Sequence, residues 1–384
     1  MVIKKAIYLK CRKVKRIIWG VLGLSVTYNV NHDNHDKRCL LVYKTSPFKT
    51  KKWDQIHQNI WQIRELARII GTYDYEVDVI DFDDPYTKLK KNYDMVIGLI
   101  PRSIDVYSTH MNKSCKRIAY LTSSNLEYTN LQELKRIEEV YRRRGIRLQP
   151  RRQGGHIGRV IESFDGAMFI GNEYNFTSYK TFQMPPTYYI RNNGYEFDYP
   201  IDFSKKKATN FVFFGSVGQV HKGLDLLLEI FSQNGFPFDL YVCGMLDGES
   251  DFCTAYYKEL YQTPNIHTIG FVEVGGKKFW EITEKCAYTI LPSCAEATVG
   301  SILTMMSAGM IPIISKDCGI DETDAICLPD CKIETIEQYI YDYSKRNQEW
   351  VITKGKLAIE IINQKYSKKH FTESIVNALD NILL

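Results

Sequence analysis

The chain has 384 residues, of which 44% are hydrophobic and 25% charged, with a formal net charge of +5. This excludes a disordered or fibrous protein, provides for two or three domains with real cores, and is too weakly basic for its length to argue for nucleic acid. Ten cysteines are scattered without a CxxC pair or a histidine at zinc-ligand spacing, which reads as reduced thiols in a cytoplasmic protein and gives no metal site.

Residues 1–38 open with Lys4, Lys5, Lys10, Arg12, Lys13, Lys15 and Arg16 beside the apolar run 17–24. That run falls short of the ~20 apolar residues of a membrane span, and no small-residue cleavage site follows it. The expectation is a basic amphipathic segment resting on an anionic membrane surface, with a packed or disordered extension as the alternative. Residues 32–36 then read as a polar linker.

Short apolar runs at 39–43, 76–80, 93–98, 117–121, 166–170 and 188–190 read as strands of a first α/β unit. After the first of them, Ile56, Ile60, Ile63, Ala67 and Ile70 recur at the helical period, so a helix packs back on the sheet. The intervening loop, with Ser46, lacks GxGxxG, which argues against a nicotinamide-type dinucleotide site. Asp81 and Asp83 mimic a metal-binding DxD, but they end a strand and read as a turn. At the end of the fourth strand, Ser124 and Asn125 are candidate sugar contacts, with helix capping as the alternative. Residues 131–152 form a charged helix followed by an arginine run, read as a solvated face or as guanidiniums for acceptor phosphates or the membrane. No strand precedes Gly154, Gly155, His156 and Gly158, so this segment reads as a flexible acceptor loop rather than a phosphate loop.

Residues 192–208 carry Gly194, Pro200 and the run Lys205, Lys206 and Lys207, and read as the linker between domains. Strands at 211–214, 239–243, 267–271, 288–291 and 311–314, alternating with helical patterns, predict a second parallel sheet. Two stretches in this half carry chemistry. In the first, an apolar strand leads through Gly215, Ser216 and Gly218 to Lys222 and Gly223, which open a helix. In the second, a strand ends at Pro292, then Glu296 precedes a small-residue loop and a helix that stops at Gly309. Ligands of open parallel sheets bind beyond the carboxyl ends of strands, where helix N-termini favour anions.

Taken in this order, the two stretches resemble the donor-binding segments of retaining glycosyltransferases of the GT-B fold, family 4, of the bacterial polysaccharide-biosynthesis type. The resemblance implies an α/β protein with two Rossmann-like domains whose parallel sheets face a central cleft. It divides the chain into a basic extension (1–38), an acceptor domain (39–200), a nucleotide-sugar donor domain (201–360) and a last helix (361–384) crossing back to the first domain. It further implies that Lys222 and Glu296 are the catalytic pair. Gly215, Ser216, Gly218, Lys222, Thr298, Val299 and Gly300 would cradle the donor diphosphate, and Glu296 would bind donor-sugar hydroxyls. Thr304 falls at the ribose position, and Phe271 and Val272 at the base. Acceptor candidates are Ser46, Ser124, Asn125 and His156.

The implied donor substrate is a nucleotide-diphosphate sugar, with no cofactor and no metal, because the cationic clamp replaces one. The acceptor is a glycan or lipid-linked glycan, met in the cytoplasm or peripherally at the inner face of the membrane. Two positions depart from the family pattern: Thr304 stands where a second Glu is usual, and Ser216 where Arg is frequent. They motivate one alternative, a catalytically impaired binding or scaffold protein. A nucleotide-sugar epimerase or a phosphorylase on the same fold is another.

Overall fold

The computed structural model describes residues 25–49, 58–84, 87–99 and 107–384. The basic segment before residue 25 and Ile56 lie outside the described residues.

The first sheet contains β1 (Val26–Thr27), β2 (Lys37–Tyr43), β3 (Tyr75–Asp81), β4 (Tyr93–Gly98), β5 (Met111–Leu121), β6 (Gly166–Ile170) and β7 (Thr187–Ile190), in the order β1-β3-β2-β4-β5-β6-β7. Every pairing is parallel except that of β1 with β3. Leu40, Leu41 and Val42 follow one another and are all buried, because a parallel sheet is covered on both faces and so needs continuous apolar runs. The second sheet contains β8 (Lys207–Gly215), β9 (Asp239–Gly244), β10 (Ile266–Thr268), β11 (Cys286–Leu291), β12 (Ile311–Ser315) and β13 (Ile326–Leu328). It is wholly parallel, in the order β10-β9-β8-β11-β12-β13.

Six helices matter for the site and the cores: α1 (Gln58–Gly71), α2 (Leu126–Arg144), α3 (Leu224–Phe231), α4 (Gly300–Ser307), α5 (Gln348–Lys365) and α6 (Lys368–Leu383). Asn125 caps α2, its side chain accepting from the N–H groups of Glu127 and Tyr128, and Gly145 ends the helix in the left-handed conformation at φ 71°. Two helices leave their own half. The α2 residues Ile137 and Val140, with Leu148 beyond the helix, belong to the core of the second sheet. The α6 residues Phe371, Ile375, Ala378, Leu379 and Ile382 belong to the core of the first.

Three places differ from the sequence expectations. The globular part begins before residue 39: β1 pairs with β3, the Asn29 N–H donates to buried Asp78, and the Asn31 side chain bonds the backbone of Tyr75 and Val77. A segment rich in Asp, Asn and His looks like a linker until its amides are seen satisfying strand-edge groups. The segment 192–208, expected to be the linker between domains, is packed at Lys206. Lys206 is 1% exposed, its ammonium donates to the carbonyls of Thr283 and Ala308, and burial lowers its pKa to about 8. Finally, the strand expected at 267–271 stops at Thr268, since Gly270 turns to φ 81° and swings Phe271 and Val272 out of the sheet.

Candidate functional site

The carboxyl ends of the two sheets face a cleft of about 580 Å³. On the second-domain side, β8 ends at Gly215 and the chain turns through Gly218 (φ 96°) and Gly223 (φ 77°) into α3. Gly223 is required twice over: L side chains resist its left-handed backbone, and a Cβ there would lie 2.5 Å from the carbonyl oxygen of Pro292. This close approach sets the start of α3 against the end of β11. It brings Lys222 to Glu296, with Nζ donating to Oε1 at 2.6 Å.

Glu296 is the hub. Ser293 Oγ donates to the same oxygen at 3.1 Å, Arg152 Nη2 stands 3.6 Å from Oε2, and His221 Nε2 lies 3.6 Å from Oε1. Burial alone would raise the carboxyl's pKa, but Lys222, Arg152 and His221 outweigh it and hold the group well below the usual carboxylate range. His221 is pushed the other way, down to about 4, by burial that Glu296 only partly offsets. It is therefore neutral at pH 7. Its Nε2 lies 2.6 Å from the Ala295 carbonyl, which assigns the proton to that nitrogen. The site thus holds an acceptor-only carboxylate beside a buried ammonium, next to the N-terminus of α4. The Val299 N–H is taken by the Cys318 carbonyl, those of Thr298 and Gly300 have no backbone acceptor among the described residues, and Ser301 Oγ is buried without a partner.

Gly215, Ser216, Lys222, Phe271, Val272, Glu296, Thr298, Val299, Gly300 and Thr304 all line this one cleft. Phe271 is 67% exposed, a large apolar ring presented at the rim. Gly218 lies outside the lining. Its N–H donates to Glu249 Oε1 at 2.6 Å, so that amide is not available to a phosphate. Thr304 lines the cleft with its hydroxyl engaged, donating to the Gly300 carbonyl at 2.9 Å and accepting from Gln58 Nε2 at 3.4 Å.

The acceptor candidates are dispersed. Ser124 is buried, its hydroxyl donating to the Glu296 carbonyl, so it ties the two domains together, while Thr122 and Ser123 take the lining positions. Asn125 is used as the cap of α2. His156 is exposed, 3.0 Å from Glu127, and outside the cleft. Ser46 lines a neighbouring cavity of about 380 Å³ that meets the cleft at Asn59 and Thr122.

Sequence reasoning missed the first-domain contribution. Gln62 donates to Asn192 Oδ1 and Asn193 Oδ1, both at 2.7 Å, and Asn192 donates to the Thr298 carbonyl at 2.6 Å. Gln58 and Gln62, four residues apart and both buried on α1, were the available signal: polar side chains on the inward face of a helix need partners. Among the described residues no group of His, Cys, Asp or Glu is arranged to hold a metal, and no helix is long and apolar enough to cross a membrane.

Residues 208–342 match the family model described as Glycosyl transferases group 1. Comparison with curated protein sequences finds no match. Among solved structures, TarM superposes with a TM-score of 0.55 at 14% identity, covering 75% of this chain and 54% of TarM, so the chain spans about half of TarM's length. Sucrose-phosphate synthase from Thermosynechococcus elongatus gives 0.63 at 14% identity, covering 90% of this chain and 99% of that one. HepE from Anabaena, solved in complex with UDP-glucose, gives 0.58 at 11% identity with coverage of 90% and 99%. At such identities the likeness speaks for the fold alone. Residues 208–342 thus resemble glycosyl transferases group 1, and the chain as a whole carries the GT-B fold.

Proposed function

We propose that the protein is a retaining glycosyltransferase that moves a sugar from a nucleotide-diphosphate sugar to a glycan or lipid-linked acceptor. The observation that carries the reading is the Lys222–Glu296 pair, 2.6 Å apart at the base of a cleft between two domains, with Phe271 exposed at its rim. Breaking the donor's anomeric C–O bond develops negative charge on the diphosphate and positive charge on the sugar. Fixed donors aimed at the diphosphate stabilise that change without reorganising. Lys222 and the N–H groups of Thr298 and Gly300 take the diphosphate, and the Glu296 carboxylate accepts from donor-sugar hydroxyls. The acceptor oxygen forms the new bond to the anomeric carbon on the face the diphosphate leaves, and its proton passes to a phosphate oxygen of the leaving group. Phe271 offers a face to the base. The UDP-glucose held by HepE supports a sugar nucleotide as the donor class. A polysaccharide pathway at the cytoplasmic face of a membrane completes the proposal.

A specific observation favours a second reading, binding without transfer. The Thr304 hydroxyl is already engaged and Ser216 brings no cation. The two readings separate in one titration series. UDP-, GDP- and ADP-sugars are titrated into the protein by calorimetry and then incubated with candidate glycan acceptors. Transfer predicts one preferred donor, affinity lost in Lys222→Ala, sugar selectivity lost in Glu296→Ala, and a product of unchanged anomeric configuration by NMR. A donor that binds but never turns over supports the second reading. Binding of no donor would sink both.

A further inference from the structure

Arg152 enters the cleft from the first domain, and the way it is held is unusual. It lies beyond α2 in a segment pinned back to that helix by Glu133, a carboxylate only 1% exposed. Glu133 Oε1 accepts from the N–H groups of Arg151 at 2.8 Å and Arg152 at 2.9 Å. Oε2 accepts from the Arg152 N–H at 3.0 Å and from Gln153 Nε2 at 2.8 Å. A buried carboxylate committed to the donors of one turn fixes the direction in which that turn points its side chain. The Arg152 side chain then runs over Gly218, where an added Cβ would lie 2.7 Å from Arg152 Cγ. Any side chain at Gly218 would block that route.

At the far end, Nη2 stops 3.6 Å from Glu296 Oε2, outside hydrogen-bond distance, and among the described residues no hydrogen bond engages the guanidinium. Lys222, by contrast, is bonded directly to Glu296. A diphosphate brings at least two negative charges to a loop where Ser216 supplies none and Lys222 is already paired. The cation beside that loop with its donors unengaged is Arg152, and a planar fork suits phosphate oxygens.

We infer that Arg152 is the second cation for the donor diphosphate, supplied across the cleft by the first domain, with Glu133 as the residue that positions it. This rests on the donor-site reading above and extends it: the diphosphate becomes a bridge between the domains rather than a ligand of one.

The test measures binding of UDP, GDP and ADP, and of the corresponding nucleosides, by calorimetry. Wild type is compared with Arg152→Gln, Glu133→Gln and the double variant, and thermal melts report folding. For the diphosphate that wild type binds, Arg152→Gln should lose roughly 10- to 100-fold in affinity, as for removal of a charge-assisted hydrogen bond, with the nucleoside unaffected. Glu133→Gln should lose part of that, and the double variant no more than Arg152→Gln alone, because Glu133 acts through Arg152. Undiminished diphosphate affinity in a folded Arg152→Gln overturns this inference and leaves the donor-site reading standing. Equal losses for nucleoside and diphosphate also overturn it. Failure of wild type to bind any of the three diphosphates removes the donor-site reading itself, and this inference with it.

Discussion

Each domain of this protein is completed by a helix from the other half of the chain, and the two crossings are built differently. Helix α6 reaches the first sheet with an apolar face, where Phe371 meets Trp61 edge to face at 5.5 Å between ring centroids. Helix α2 reaches the second sheet with Ile137 and Val140, but arginines surround the contact. Arg136 donates to the Pro292 carbonyl at 2.9 Å. Arg143 binds Asp225 at 2.6 Å and Glu229 at 2.9 Å, and Arg144 binds Glu259 at 2.7 Å. An apolar contact is non-directional and supplies core area, whereas ionic and carbonyl contacts fix register. The difference has a functional side. The apolar crossing completes the core of the first domain, while the ionic one anchors the end of α2 that leads to the segment carrying Arg152.

The largest expected effect comes from breaking the apolar crossing. Phe371 is fully buried, so Phe371→Ala should destabilise the protein by about 3–5 kcal/mol in urea unfolding, through lost transfer free energy and an unfilled cavity. A loss below about 1.5 kcal/mol would make α6 an accessory rather than part of the core.

The next effect concerns the ionic crossing and depends on pH. Burial raises the Asp225 pKa from 3.8 to about 6, although Arg136 and Arg143 pull it down. A carboxyl whose folded pKa exceeds its unfolded one binds its proton more tightly when folded. Its contribution to stability is therefore present below about pH 4 and lost as pH rises through about 6. Arg143→Ala should consequently cost about 3 kcal/mol at pH 7, where it leaves a buried carboxylate short of a partner. Near pH 4, with Asp225 protonated, the cost should shrink to about 1 kcal/mol, that of the partly exposed Arg143–Glu229 pair left beside it. A cost independent of pH would mean that Asp225 is not the group Arg143 serves. In Asp225→Asn the pH dependence of the Arg143→Ala effect should weaken, since the Arg143–Glu229 pair remains.

How much of this was legible in the sequence follows the same division. The strands were readable because parallel sheets demand continuous apolar runs, as at Leu40 to Val42 and Phe211 to Phe213. Lys222 and Glu296 were readable because each follows a strand within a few residues, so local order nearly determines their place. Arg152 was noticed only as one member of a basic run, and no local pattern says which of Arg151 and Arg152 turns inward. That is decided by Glu133, eighteen residues away from Arg151 along the chain. Asn125 could be read as a cap or as a sugar contact, and the structure uses it as a cap. Lys206, within the expected linker, and Asn29, within the expected N-terminal extension, could not be placed from sequence for a shared reason. Polar residues signal solvent unless a partner is known, and their partners, the Thr283 carbonyl and Asp78, are 77 and 49 residues distant.

The smallest effect asks whether the ionic crossing needs charge or geometry. Arg144 places Nη1 2.7 Å from Glu259 Oε1 and Nη2 3.0 Å from the Ala255 carbonyl, with its guanidinium carbon 4.2 Å from the centre of the Tyr256 ring. A lysine keeps the charge but cannot make both bonds and lie flat on the ring at once. Arg144→Lys should therefore lose about 1 kcal/mol, close to the upper end for a partly exposed pair, while Arg144→Met, which keeps only the packing stem, should lose slightly more. Equal stability of Arg144→Lys and wild type in urea unfolding would show that charge alone holds this end of α2. The register of the segment leading to Arg152 would then rest on Arg143 and Glu133, and Arg144→Lys should leave diphosphate affinity unchanged. If geometry matters as argued, the same substitution loosens the segment, and diphosphate affinity should fall by about the factor of 10 that 1.4 kcal/mol represents, or less.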